Sequence, residues 1–169
     1  SCMWKSCNVG VVSAIGKASP YEFVQQMKMR CTPLTLCVNE VDVKSQKVIM
    51  DDLNLTNTSF AGAVGRGADF SGANLHGAIL TQGAFSEADF SGADLSDALM
   101  DRADFGATDL SNALLMDVIA SGSSFRKARI KGADFTDALL DREDQRLLCR
   151  DADGVNPVTG VATFDSLGC

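Results

Sequence analysis

The chain is poor in the residues on which catalysis and metal binding most often draw. It holds one histidine, His76, one tryptophan and one tyrosine in 169 residues. No Ser-His-Asp or Cys-His pairing suggests itself, no phosphate loop appears and no C-x-x-C is present, so nucleophilic, nucleotide-dependent and zinc chemistry lack their usual patterns. An enzyme is therefore not expected, nor a cofactor or a small-molecule substrate. No apolar run approaches the roughly 18 residues that a membrane span requires; the longest candidate, Gly10 to Gly16, is far too short. No signal or transit segment is visible, and the start at Ser1 rather than Met is compatible with a leader already removed. Positive charge is also scarce. A formal net charge of -7 argues against a nucleic-acid-binding surface and against docking on anionic lipid by charge, leaving at most a peripheral relation to a membrane.

What the chain has instead is a period. A residue suited to a core recurs every fifth position: Met50, Leu55, Phe60, Gly65, Phe70, Leu75, Leu80, Phe85, Phe90, Leu95, Met100, Phe105, Leu110, Leu115, Ala120, Phe125, Ile130, Phe135 and Leu140. Two residues before each stands something small, most often alanine, as at Ala63, Ala68, Ala73, Ala78, Gly83, Ala88, Ala93, Ala98 and Ala103. Five fits neither the helical period of about 3.6 nor the strand period of about 2. Self-similarity of fixed length over most of a chain signals a solenoid. Two departures stand out. At Val118 and Ala120 the large and small positions are exchanged, which keeps the total volume. Gly65 has no large partner, so either a neighbouring side chain fills its place or the coil is pinched there.

Six cysteines, Cys2, Cys7, Cys31, Cys37, Cys149 and Cys169, all lie outside the repeat. An even number confined to non-repetitive ends reads as disulfide staples made in an oxidising compartment, with buried free thiols or a zinc site as the alternatives. Segregation favours Cys149 with Cys169, and the other four among themselves. Closing the C-terminal loop is worth about 3 kcal/mol in the chain-entropy model.

Read in fives, the chain runs Ala68-Asp69-Phe70-Ser71-Gly72, Ala73-Asn74-Leu75-His76-Gly77, Ala88-Asp89-Phe90-Ser91-Gly92, Ala93-Asp94-Leu95-Ser96-Asp97. This resembles the pentapeptide repeat family, whose consensus is A-[DN]-[LF]-x-x, over residues 48–142. The resemblance implies an all-β solenoid, a right-handed quadrilateral (four-sided) β-helix in which each pentad makes one face and nineteen pentads make nearly five coils. One coil buries about four large side chains, worth roughly 1.5–3 kcal/mol each, against an ordering cost of about 1–2 kcal/mol for each of its residues. A single coil cannot stand alone, and stacking must supply the rest.

Short α-helical caps are expected at both ends, because terminal coils expose core and unpaired strand edges. Residues 1–47 form an N-terminal extension. Within it Ser19-Pro20-Tyr21-Glu22 is a capping box with proline at the first helical position, and residues 20–30 read as a short amphipathic helix. Residues 142–150 read as a second helix, followed by a tail dense in turn formers, Asp153-Gly154-Val155-Asn156-Pro157-Val158-Thr159-Gly160; residues 143–169 make up this C-terminal region. The tail, ending Ser166-Leu167-Gly168-Cys169, resembles that of pentapeptide repeat proteins of the chloroplast thylakoid lumen and their cyanobacterial relatives. The resemblance implies the thylakoid lumen, or a cyanobacterial lumen or periplasm, with Cys149 and Cys169 tying the tail over the last coil.

With four pentads per coil, residues twenty apart stack on one face. One outward column then reads Ser59, Ile79, Leu99, Ile119 and Leu139, aliphatic where the family usually has Asp or Asn; Leu114 and Met116 add apolar character on the preceding face. An uncovered column of this size marks an interface, unless the N-terminal segment folds back over it. Asp69, Asp89 and Asp109 form one acidic column and Asp97, Asp117 and Asp137 another. A bridging cation is conceivable there; solvated carboxylates bonded to turn amides are the commoner outcome. Arg126, Lys127, Arg129 and Lys131 gather as a basic corner, with Arg129 in line to pair with Asp109. Asn54-Leu55-Thr56 and Asn57-Thr58-Ser59 match glycosylation sequons of a kind that arise easily by chance in a polar repeat.

Three functions compete. The first is a rigid lumenal scaffold that attaches through the aliphatic column to a larger complex, a photosystem or its assembly machinery. The second is a DNA-mimic inhibitor of a type II topoisomerase, as some members of the family are. Residues 67–125 hold nine acids and one base, matching a duplex that carries one charge per about 1.7 Å; the short axis, the basic corner and the cysteines count against it. The third is a redox-responsive lumenal factor whose disulfide is regulatory.

Overall fold

The computed structural model describes residues 40–42 and 47–169. Cys2, Cys7, Cys31 and Cys37, and the helix expected over residues 20–30, lie outside the described residues. Strands β1 (Glu40–Asp42) and β2 (Lys47–Ile49) pair antiparallel, with Glu40 opposite Ile49.

From Met50 the chain winds into a right-handed quadrilateral β-helix. Parallel bridges join residues twenty apart on four faces. Face one carries Asn54, Asn74, Asp94, Leu114 and Asp134; face two Ser59, Ile79, Leu99, Ile119 and Leu139; face three Val64, Ala84, Asp104 and Ser124; face four Asp69, Asp89, Asp109 and Arg129. The ladder repeats without change. Phe70 N–H donates to the Asp89 carbonyl (2.7 Å), Asp89 N–H to the Ala68 carbonyl (2.9 Å) and Gly72 N–H to the Ser91 carbonyl (2.9 Å). Most corners close on themselves, as where Ala73 N–H donates to the Phe70 carbonyl at 3.0 Å; at Met100 the buried Ser123 hydroxyl bridges the corner instead, accepting from Ala103 N–H (3.0 Å) and donating to the Met100 carbonyl. The third residue of each such turn has positive φ, at every fifth position from Asp52 to Asp137, and eleven of these residues are not glycine. That is the signature of a type II-like turn.

Phenylalanines dominate the core of faces three and four. Phe85, Phe105 and Phe125 stack with centroids 5.6 and 5.5 Å apart, Phe70 and Phe90 at 4.8 Å, and the two stacks meet edge to face, Phe85 on Phe90 at 5.8 Å. Both arrangements suit the ring quadrupole. Gly65 is not a pinch. A Cβ built there would lie 2.7 Å from the Phe85 ring of the next coil, and one built on Gly83, two residues before Phe85, would lie 2.2 Å from it, so this one ring fills the space that both glycines leave. Val118 and Ala120, with their sizes exchanged, are both buried.

The last coil has no sixth coil to receive its amides, and side chains, with one carbonyl of the tail, replace the missing acceptors. Gly122 N–H donates to the Asp141 carboxylate at 2.8 Å, where the coil below has Arg102 N–H donating to the Ser121 carbonyl. Phe125 N–H is bound by the Asp144 carboxylate, Gly132 N–H by the Asp153 carbonyl (2.8 Å) and Phe135 N–H by the Ser166 hydroxyl (3.0 Å). Helix α1 (Arg142–Asp151) and the one-turn helix α2 (Thr163–Ser166) lay Leu148 and Leu167 over the end of the core. Cys149 and Cys169 are joined by a disulfide, with Cα atoms 5.7 Å apart.

Candidate interaction surface

Face two brings Ile79, Leu99, Ile119 and Leu139 into one outward column, bridged in sequence along the axis. Leu99, Ile119 and Leu139 are exposed by 37, 38 and 56 %, and Ile79 is half-buried. Their backbone is spent on the ladder: Leu99 N–H donates to the Ala78 carbonyl, and the Leu99 carbonyl accepts from Leu80 N–H. Only the side chains can therefore contact anything beyond the solenoid. Leu114, on face one, and Met116, on the corner between faces one and two, are half-buried and widen the strip at the level of Ile119.

Elsewhere the same outward position does different work. At Asn54, Asp69, Asn74, Asp89, Asp94, Asp104, Asp109 and Asp134 the side-chain Oδ1 accepts the amide two residues on, as where Ser91 N–H donates to Asp89 at 2.9 Å. This local bond satisfies a corner amide and gives a physical reason for the Asp-or-Asn preference in that column. The Asp69, Asp89 and Asp109 carboxylates are thus occupied by turn amides. Asp97, Asp117 and Asp137 sit exposed at positive-φ corner positions, with Asp97 3.5 Å from His76. Among the described residues, no group of His, Cys, Asp and Glu is arranged to hold a metal ion.

The four basic residues do not share one corner. Arg126 and Lys127 form the corner between faces three and four, Arg129 lies on face four and Lys131 on the following corner. Arg129 meets Asp109 at 2.7 Å and Lys131 meets Asp153 at 3.5 Å. An open groove of about 800 Å³ between Arg126, Lys127 and helix α1 is lined by charges of both signs, Glu143, Asp144 and Arg150 among them. It offers no convergent set of donors.

Sequence reasoning missed the chemistry of the C-terminal lock. Asn156 is buried; its amide donates to the Gly132 carbonyl (2.8 Å), and its Oδ1 accepts from Val158 N–H. Asp134, fully buried, accepts from the hydroxyls of Thr136 and Thr159, each at 2.6 Å. Burial works to raise its pKa, but those two hydroxyls and the Thr136 amide together hold the carboxyl below the usual range. At Asp144 the balance reverses. Burial lifts its pKa and outweighs the Phe125 amide, with Asp141 and Glu143 adding repulsion. A signal was present in the sequence: Asp141 and Asp144 stand twenty residues after Ser121 and Ser124, in register with the ladder.

The pentapeptide repeats family model matches residues 50–82, 84–117 and 103–142. A solved structure of a pentapeptide repeat protein from the Arabidopsis thaliana thylakoid lumen is 37% identical, covering 71% of this chain and 90% of that one, with a TM-score of 0.62. A pentapeptide repeat protein involved in heterocyst differentiation regulation, from the cyanobacterium Nostoc, is 25% identical over 56% of this chain and 46% of that one, with a TM-score of 0.42. No curated protein sequence matches this chain.

Proposed function

The chain belongs to the pentapeptide repeat family, and on that premise we propose that it is a non-enzymatic binding module of the thylakoid lumen. Its role is that of a rigid scaffold that attaches to a larger photosynthetic membrane complex. The observation that carries this reading is face two, where four successive coils present an aliphatic side chain to solvent. Contiguous exposed apolar surface on an otherwise polar protein is characteristic of an interaction site. The lumenal setting draws on the Arabidopsis relative and on the Cys149–Cys169 disulfide, a bond that persists in oxidising compartments.

The test is gentle detergent solubilisation of thylakoids followed by native electrophoresis. The expected result is co-migration with a membrane complex that resists mild salt and is lost in the Leu99→Asp/Ile119→Asp double variant while its thermal transition is kept. Free migration of the unmodified protein, or unchanged co-migration of the variant, would remove face two from the interface. A redox-responsive role has the same disulfide in its favour, since Cys169 is exposed at the end of the chain. Release of the bound protein by dithiothreitol would favour it. DNA mimicry is the weaker reading. Five levels of coil give an axis of roughly 23 Å, short of one duplex turn of about 34 Å, and micromolar protein is expected to leave gyrase supercoiling unchanged.

A further inference from the structure

Resting on the reading of face two as a docking surface, we infer that its occupant is a basic amphipathic α-helix of the partner, about three turns long. The class of element follows from the backbone. Ile79, Leu99 and Ile119 are each bridged to the coil on either side, and the Leu139 N–H and carbonyl are both taken up by the coil below, so a partner lying along the column cannot add a strand to it and must pack side chains on side chains. Its shape follows from the column. Ile79 to Leu139 spans three coil steps, or roughly 14 Å at the sheet spacing, and a helix covers that length in about ten residues. The strip is one outward residue wide between two corners, which suits the narrow apolar stripe of a helix better than a flat sheet.

The charge of the occupant follows from the rims. On one corner Asp97, Asp117 and Asp137 follow one another up the axis, all exposed; on the other stand Asp101 and Asp141 beside Arg102 and Arg142. Five carboxylates against two guanidinium groups flank the apolar column. Two copies of this face set antiparallel would oppose acid to acid, and set parallel would meet the acidic rim with one of no net charge, so a second copy matches the rims less well than a basic partner. A helix bearing Leu or Ile along one stripe, with Lys or Arg on the side that meets Asp97, Asp117 and Asp137, complements the strip and its acidic rim together.

The test titrates the full chain with two labelled peptides of about fourteen residues, alike in their leucine stripe but flanked by Lys in one and Glu in the other, read by fluorescence anisotropy. The Lys peptide is expected to bind, the Glu peptide to bind at least tenfold more weakly, and Asp97→Asn/Asp117→Asn/Asp137→Asn to weaken the Lys peptide about tenfold. Leu99→Asp/Ile119→Asp is expected to abolish binding. Equal binding of both peptides, or no effect of the asparagine variant, overturns the basic partner but leaves face two as the docking surface. Binding that survives Leu99→Asp/Ile119→Asp overturns both. If neither peptide binds, the helix is overturned, and co-migration of the same double variant decides separately whether face two docks at all.

Discussion

Faces two and four share one backbone ladder and differ in almost everything outside it. Face four puts Asp69, Asp89 and Asp109 in the outward column, and each caps the corner that follows. Those corners then turn through Asp52, Gly72, Gly92, Asn112 and Gly132, residue types that tolerate positive φ. Face two has Ile79, Leu99, Ile119 and Leu139 instead, none of which can cap the corner that follows, and its corners turn through Gly62, Gln82, Arg102 and Gly122, the third of them bridged by the Ser123 hydroxyl of the next coil. Face four is composed for folding, whereas face two forgoes the bond from outward side chain to corner amide, yet its ladder closes as regularly. The solenoid is held by its core and backbone, which frees the outward column of one face for another use.

The interior is where the two faces should converge, and breaking it carries the largest effect. Phe90, on face four, is fully buried and stacks on Phe70 at 4.8 Å. Phe90→Ala is expected to cost about 3–5 kcal/mol, read from the denaturant midpoint. Met100→Ala, on face two, should cost about 2–5 kcal/mol. A loss under 1 kcal/mol at either position would mean that the core does not carry the fold.

The outward columns can be exchanged. Asp89→Ala removes the acceptor for Ser91 N–H and should cost about 0.5–1.5 kcal/mol. The reciprocal change, Ile119→Asp, rebuilds the sequence Asp-x-Ser of face four, because Ser121 stands two residues on. It should stabilise the fold by about 0.5–1 kcal/mol while weakening docking. Stability gained at the expense of binding is the mark of a position selected for function. A destabilised Ile119→Asp protein would instead make the aliphatic column part of the fold.

Much of this contrast was legible in the sequence. The register from Met50 to Leu140 fixes which residues point inward, and the step of twenty assigns Asp69 to one column and Leu99 to another. Exposure was not legible, because it depends on what lies over a face. The C-terminal edge was equally hidden. Asp141, Asp144 and Ser166 work by setting a side-chain oxygen where a backbone carbonyl would have been; the step of twenty points to the positions of Asp141 and Asp144 but not to that exchange of groups, and it does not reach Ser166. The spread of Arg126, Lys127, Arg129 and Lys131 over two corners and the face between them follows from the pentad register, but linear proximity had obscured it.

Acidification should set the lock on face one apart from the other columns. The Asp134 carboxyl titrates below its ordinary value when folded. Its stabilising contribution is therefore complete above the unfolded pKa of about 3.9 and is lost as pH falls through the lower folded value. Asp134→Asn should flatten that part of the pH–stability curve. Asp144 acts in the opposite sense, since its raised folded pKa makes stability fall as pH climbs from the unfolded value through the folded one. Asp144→Asn should remove that decline. An unchanged acid limb in Asp134→Asn would show that the hydroxyls of Thr136 and Thr159 do not hold the charged form.

An effect no larger than that of Ile119→Asp is expected at a corner. Gln82 turns the chain from face two to face three at φ 59°, a conformation that brings the Cβ of an L-residue close to its own backbone. The equivalent corners after face four, at Gly72 and Gly92, have no Cβ. Gln82→Gly relieves the strain but also loosens the unfolded chain, so the net gain should be about 0.5–1 kcal/mol. Gly92→Gln should lose a similar amount; the space around Gly92 is open to 4 Å, so the loss would report backbone strain without a steric clash. If both variants leave the melting midpoint unchanged, corner strain does not distinguish the two faces. The contrast between them would then rest on the Asp caps alone.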